Sequence, residues 1–442
     1  MKILIIILML AVSATSYGQR VMNKIKLDSK MKSEAIANIS SLMVENYVFE
    51  DIAYKVKSEL EANMKNNVYD GIDDPVEFSR RMTNDIQAVT HDKHIRFMFN
   101  PEMAADLLAG GNDEETNPVL VEKYRKEMKE VNYQFKKLEI LPGNIGYLDL
   151  RGFTDANIAK ETGAAAMNFL SNTGAIIFDL RENGGGDPNM VQFLCSYLFD
   201  GKVHLNDLYY RKKNETTEYW TYETVPGKKM VNTDVYVLTS NYTFSGAEEF
   251  TYNLKNLKRA TIIGENTGGG ANPGSGMRVT DNFIMFVPTG RAINPITKTN
   301  WEGTGIAPDI ACKKEDALDV ALLEINKKLL AKANTPEDKQ RYQWTLDGIE
   351  SKMNPVTVSA DVMQKYAGDY GPRKIYFENN ELIYERPGVL GKTKLIPIKE
   401  DYFALEGRDN FRVKFNTDVS GTVVSLTGMY SDGGGEENKK VN

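Results

Sequence analysis

Cysteine and histidine are scarce in this chain: it has two of the first and three of the second. Cys195 and Cys312 alone cannot form a disulfide framework, so the fold has to stand on a buried core. Cys195 falls inside an apolar helical pattern and reads as a small buried hydrophobe. Metal-type spacing is missing too. His91 and His94 form H-x-x-H rather than H-E-x-x-H, and the cysteines lie far from them, so no metal and no organic cofactor is expected. The glycine loops 184–186 and 268–270 lack the Gly-Lys-[Ser/Thr] ending that holds nucleotide phosphates. No run of Lys and Arg with interleaved aromatics occurs, and the net charge is −7, which argues against a nucleic-acid partner. Beyond the first residues, no segment is apolar enough to cross a membrane.

What is present is ample material for a core. The 442 residues are 41% apolar and 26% charged, which predicts two or three domains. Residues 1–18 read as a secretory signal, with Lys2, an apolar stretch over 3–12 and the small-residue site Ser16-Tyr17-Gly18. An exported protein, periplasmic or secreted, with no stable membrane insertion after cleavage is the expectation. Over 19–100, Ile36, Ile39, Leu42 and Met43, and then Ile52, Val56, Leu60 and Met64, recur at helical spacing. With a third helix over 76–89 they predict a three-helix bundle, and 101–142 reads as a connecting segment. From residue 143 strands and helices alternate: strand 145–150, helix 156–170, strand 175–180, a helix from the Asp187-Pro188 cap to about 199, strand 235–238, helix 246–257 and strand 261–264. That alternation predicts an α/β core with parallel pairing over 143–312. A charged helical linker follows over 313–355. Six short alternating strands over 356–442 predict a small antiparallel β domain.

The most informative stretch is Leu238-Thr-Ser-Asn-Tyr-Thr-Phe-Ser-Gly-Ala-Glu-Glu-Phe250. Ser245 falls at a strand-to-helix turn, where the first helical N–H groups lack intrahelical partners and the dipole favours negative charge. A serine oxygen there can attack a carbonyl while neighbouring N–H groups receive the oxyanion. Ser245-Gly-Ala-Glu248 is equally a capping box, and Thr243 stands where the G-x-S-x-G elbow would have its first glycine. A hydroxyl nucleophile also needs a base, and the histidine pair in Thr90-His-Asp-Lys-His-Ile95 offers one.

Four ordered blocks together carry a resemblance: Ile176-Ile-Phe-Asp-Leu-Arg-Glu-Asn-Gly-Gly-Gly186, the Ser245 block, Gly264-Glu-Asn-Thr-Gly-Gly-Gly270 and Trp301-Glu-Gly-Thr-Gly-Ile-Ala-Pro-Asp-Ile310. They resemble the S41 family of serine peptidases, the C-terminal-processing or tail-specific group, whose core is ClpP/crotonase-like. The N-terminal region ending in Asp92-Lys-His94 looks like the branch of the interphotoreceptor retinoid-binding protein and the tricorn core. The resemblance implies Ser245 as nucleophile, His94 as base and Glu302 as its orienter, with backbone N–H groups of Gly246 and of Gly185 or Gly186 as oxyanion hole. The processing branch's dyad lysine has no counterpart in Thr267-Gly-Gly-Gly-Ala271, and Lys93 stands where the tricorn-like pattern has a serine. About forty residues separate His94 from the core, too few for the PDZ domain common in the family. Arg181 and Asp179 read as structural. The expected function is an exported serine endopeptidase acting on polypeptides. The rival is a non-catalytic binding module for an apolar ligand or polypeptide on the same scaffold.

Overall fold

The computed structural model describes residues 25–111 and 117–441, so the expected signal segment 1–18 lies outside the described residues. The chain divides between Lys314 and Glu315 into two compact units.

The first unit begins with helices α1 (Ser29–Asn46), α2 (Glu50–Lys65) and α3 (Pro75–Thr90). Asp28 caps α1 by accepting from Met31 N–H, and Asp74 caps α3 ahead of a proline in its first turn. Their apolar faces do not close on one another alone. Ile36, Met43, Val56, Phe78 and Met82 share one core with strands β1 (Arg96–Phe99) and, much later in the chain, β10 (Phe283–Pro288). Helices α4 (Pro101–Gly110) and α5 (Pro118–Glu130) follow.

The central sheet is built from β2 (Phe135–Leu141), β3 (Ile145–Leu150), β4 (Ala175–Asp179), β7 (Asp234–Thr239), β8 (Ala260–Gly264) and β12 (Ile310–Ala311). Its order is β12-β8-β7-β4-β3-β2, parallel throughout except for β2. The strands β3 and β4 are buried at every residue, which is why they read as near-continuous apolar runs. Register aligns Leu148, Phe178, Val237 and Ile262 across the sheet. Helices α6 (Ala156–Leu170), α7 (Pro188–Cys195) and α8 (Gly246–Asn256) contribute Met167, Phe193 and Phe250 to this core. The α7 helix, expected to run to about residue 199, ends at Cys195. Its continuation tightens into three-residue turns, with Tyr197 N–H on Leu194 O and Leu198 N–H on Cys195 O. Cys195 is a buried thiol.

Two small antiparallel sheets were not anticipated. One pairs β5 (His204–Tyr210) with β6 (Glu215–Trp220) and with β11 (Gly290–Ile293). The other runs β1-β10-β9, with β9 at Gly274–Arg278 and β10 at Phe283–Pro288.

The second unit has helices α9 (Ala317–Lys332), α10 (Pro336–Met353) and α11 (Ala360–Tyr366). Beyond them an antiparallel sheet of eight strands, from β13 (Gly368–Tyr370) to β20 (Gly435–Lys439), follows chain order. Six of these strands were expected. Tyr370, Phe403, Val413 and Leu426 form its centre. No helix among the described residues is long and apolar enough to cross a membrane.

Candidate active site

Two loops leave the C-terminal ends of adjacent parallel strands β4 and β7, and the site lies where they meet. Their shapes are fixed by side chains that bond across to backbone. Thr243 Oγ1 donates to Leu180 O at 2.8 Å and Ser240 Oγ to Arg181 O at 2.5 Å. This is what Thr243 does in place of the missing elbow glycine. Asn183 Nδ2 donates to Leu150 O, and its Oδ1 accepts from Gly185 N–H at 2.8 Å. Asp179 accepts from Arg181 at 2.6 and 2.9 Å and from Tyr147 OH at 2.6 Å, and Arg181 also reaches Lys314 O. The structural roles expected for Asp179 and Arg181 are seen directly.

Ser245 caps α8 with φ 51° and ψ −121°, a conformation that non-glycine residues hold only where the surroundings impose it. The carboxylate half of the capping box is formed, with Glu248 Oε2 accepting from Ser245 N–H at 3.0 Å. Glu248 does more than cap. The same carboxyl accepts from Thr267 Oγ1, Gly269 N–H and Gly270 N–H at 2.5, 2.7 and 2.8 Å, so it ties the serine turn to the glycine loop 267–270. The sequence disclosed the first contact and not the other three.

Of the two glycine N–H groups expected beside Ser245, that of Gly185 is committed to Asn183. Both glycines press against the start of α8: a Cβ on Gly185 would stand 2.7 Å from Ser245 Cβ, and one on Gly246 would stand 2.8 Å from Gly186 O and 3.0 Å from Gly186 N. Ser245, Gly246, Gly186, Glu249, Gly270 and Trp301 line a narrow cleft at this point. Glu249, four residues into α8 and buried, is a cleft group that sequence reasoning passed over.

The histidines separate. His91 ends α3 in a left-handed turn and is exposed, and His204 stacks on Trp220 and bonds Asp207. His94 alone belongs to the site, and it is 9% exposed. Its ring sits between Phe244, at 4.6 Å, and Phe286, at 5.9 Å, and a Cβ on Gly270 would lie 2.6 Å from its Cε1. Neither ring nitrogen has a hydrogen-bond partner, so the Ser245–His94 bond is not formed in this state. Two carboxyl groups face the ring. Asp92 Oδ1 lies 3.7 Å from Nδ1, while Asp92 Oδ2 accepts from Asn272 Nδ2 at 2.8 Å and Tyr47 OH at 3.3 Å. Glu302 Oε2 accepts from Ala271 N–H at 2.5 Å, and its Oε1 is buried without a partner. One ligand atom each from Asp92, His94 and Glu302 lie within 4.8 Å of one another. Asp92 is the second site residue that sequence reasoning did not single out.

Burial shifts three of these carboxyl groups upward. Burial raises Glu248 to about 7 and Glu249 to about 8, and burial followed by the Asp92 charge raises Glu302. The folded chain therefore binds protons that the unfolded chain releases, so stability falls as pH rises from the ordinary carboxylate range through about 8. Thermal melts should give a higher Tm near pH 5 than near pH 8, about the two ends of that window. A Tm that climbs over the interval would contradict these burials.

The profile of Peptidase family S41 matches residues 144–312, and that of the N-terminal domain of Peptidase_S41 in eukaryotic IRBP matches 22–142. Among solved structures, a photosystem II D1 C-terminal processing protease is 14% identical, with 64% of this chain and 94% of that chain covered and a TM-score of 0.41. A putative peptidase from Parabacteroides merdae is 18% identical, with 69% and 99% covered and a TM-score of 0.44. A putative S41 protease from Bacteroides fragilis is 22% identical with a TM-score of 0.38; the match covers 51% of this chain and 58% of that one. The two profiles adjoin, share one family and together span well over half of the sequence: the chain belongs to peptidase family S41.

Proposed function

We propose that the protein is an exported serine endopeptidase that cleaves polypeptides through an acyl-enzyme on Ser245. His94 takes the proton from the Ser245 hydroxyl as its oxygen attacks the scissile carbonyl, and returns it to the leaving amine. Water then hydrolyses the ester by the same route. Gly246 and Gly186 N–H groups receive the oxyanion, and Glu302 orients the imidazole. No metal or organic cofactor takes part in these steps.

The observation that carries this reading is the strained turn at Ser245 beside the Gly186 loop, joined through Glu248 to the loop that abuts His94. The absence of a Ser245–His94 hydrogen bond in this state does not weigh against it, because such bonds tighten when substrate fills the cleft. The rival reading, a pocket for an apolar ligand, fits poorly with buried, unpartnered atoms on His94 and Glu302. Export rests on the expected signal at 1–18, and polypeptide substrates on membership of the family.

An alkyl fluorophosphonate provides the test. An activated serine oxygen displaces fluoride from phosphorus, and mass spectrometry locates the adduct. The expected result is one adduct on Ser245, lost in His94→Ala. An unlabelled chain, or labelling that ignores His94, would overturn the assignment.

A further inference from the structure

We propose that Asp92, His94 and Glu302 form a zinc site which, when filled, withdraws His94 and shuts off hydrolysis. The binding half stands on geometry alone; the inhibitory half rests on the reading of His94 as base.

One oxygen from each carboxyl and one imidazole nitrogen lie within 4.8 Å of one another. Tetrahedral zinc holds such atoms at about 2.0–2.2 Å, which sets them roughly 3.3–3.6 Å apart. The Asp92 Oδ1 to His94 Nδ1 separation of 3.7 Å is already close to that value. A small side-chain movement of Glu302 completes three ligands, leaving a fourth position for water.

Of the atoms offered, Asp92 Oδ1 also accepts from His94 N–H at 3.0 Å, and the others are without a partner. Both nitrogens of His94 and Oε1 of Glu302 are buried and have no hydrogen-bond partner. Buried polar atoms are normally satisfied, and a cation would satisfy Glu302 Oε1 and one His94 nitrogen together. The outer contacts are those that steady a metal ligand. Asn272 and Tyr47 hold the far oxygen of Asp92, Ala271 N–H holds the far oxygen of Glu302, and Phe244 and Phe286 confine the imidazole plane. An imidazole with two carboxylates suits zinc; magnesium and calcium take six or more oxygens, which this pocket does not supply. The site is not the His91–His94 pair of the sequence: His91 is exposed at the end of α3 and is not among the clustered ligand atoms. With a nitrogen lone pair on the metal and the ring pinned between two carboxylates, His94 cannot swing to Ser245.

The decisive measurement is calorimetric titration of zinc chloride into the untagged full chain carrying Ser245→Ala, which removes any dependence on proteolysis. Glu302→Gln and Asp92→Asn are titrated in the same background after a melting curve shows each to be folded. One zinc per chain, weakened at least about tenfold by either substitution, is the expected result. No binding, or binding that both substitutions leave unchanged, overturns the site. Should Asp92→Asn not fold, Glu302→Gln decides alone. With the unsubstituted chain, added zinc should stop hydrolysis and a chelator restore it. Zinc that binds without slowing hydrolysis overturns the inhibitory half. A chain that hydrolyses nothing overturns the peptidase reading and leaves the titration to judge the site.

Discussion

Changing Ser245 to alanine should lower hydrolysis of an unfolded polypeptide by about 10³- to 10⁶-fold with little change in melting temperature. The loss is large because the hydroxyl supplies the bond-forming atom and no neighbouring group can replace it. The structure also argues that the fold survives. Glu248 accepts from the backbone N–H of residue 245, not from its side chain, so the links to Thr267, Gly269 and Gly270 persist in the variant. His94→Ala should cost a similar factor, and the double variant little more than either single one, since residues acting as one unit are strongly non-additive. Product ends mapped by mass spectrometry give both the rate and the cleavage preference. Full hydrolysis by Ser245→Ala would remove the nucleophile assignment whatever the other variants do.

The second large effect is expected at Gly186, and here stability and activity should fall together. A Cβ on this residue would stand 2.1 Å from Phe153 O and 2.7 Å from Phe153 C, both backbone atoms, at a φ of +135°. Phe153 cannot yield easily. Its N–H donates to Gly185 O at 2.8 Å and its carbonyl accepts from Asp187 N–H at 2.7 Å, so the loop and the start of α7 hang on the same residue. Gly186→Ala should destabilise the chain by about 3 kcal/mol or more, the range in which steric strain and lost backbone bonds combine. Gly201→Ala is the matched control, because Gly201 has φ +64° but open space around it. It should cost about 1 kcal/mol and leave hydrolysis intact. Equal melting temperatures for the two variants would show that the Gly186 contact is not what shapes the loop.

Sequence disclosed the parts whose signals are local. The parallel strands were legible because burial on both faces makes them apolar throughout, and α7 because Asp187-Pro188 is a cap in any context. Strand β6 was not legible, since four of its six residues are exposed and no apolar alternation marks it. Strand β9, Gly-Ser-Gly-Met-Arg, carries two glycines where strands have few. The three N-terminal helices were found, but not that Phe283, Met285 and Val287 complete their core, because periodicity says nothing about a partner so distant in sequence. At the site the same division holds. Ser245 stood out from its turn, whereas Asp92, Asn272 and Phe286 matter only because folding brings them to one imidazole.

The carboxyl of Glu248 bears on the order in which the proposed site is assembled. It joins the Ser245 turn to a loop that borders His94, and Glu302 arrives later still along the chain. A ribosome producing this polypeptide releases the histidine early, the serine well afterwards and the second acid last. On the proposed roles, base, nucleophile and orienter are not all present until residue 302 has emerged. On that reading the order of synthesis acts as a safeguard, keeping each unfinished copy inactive.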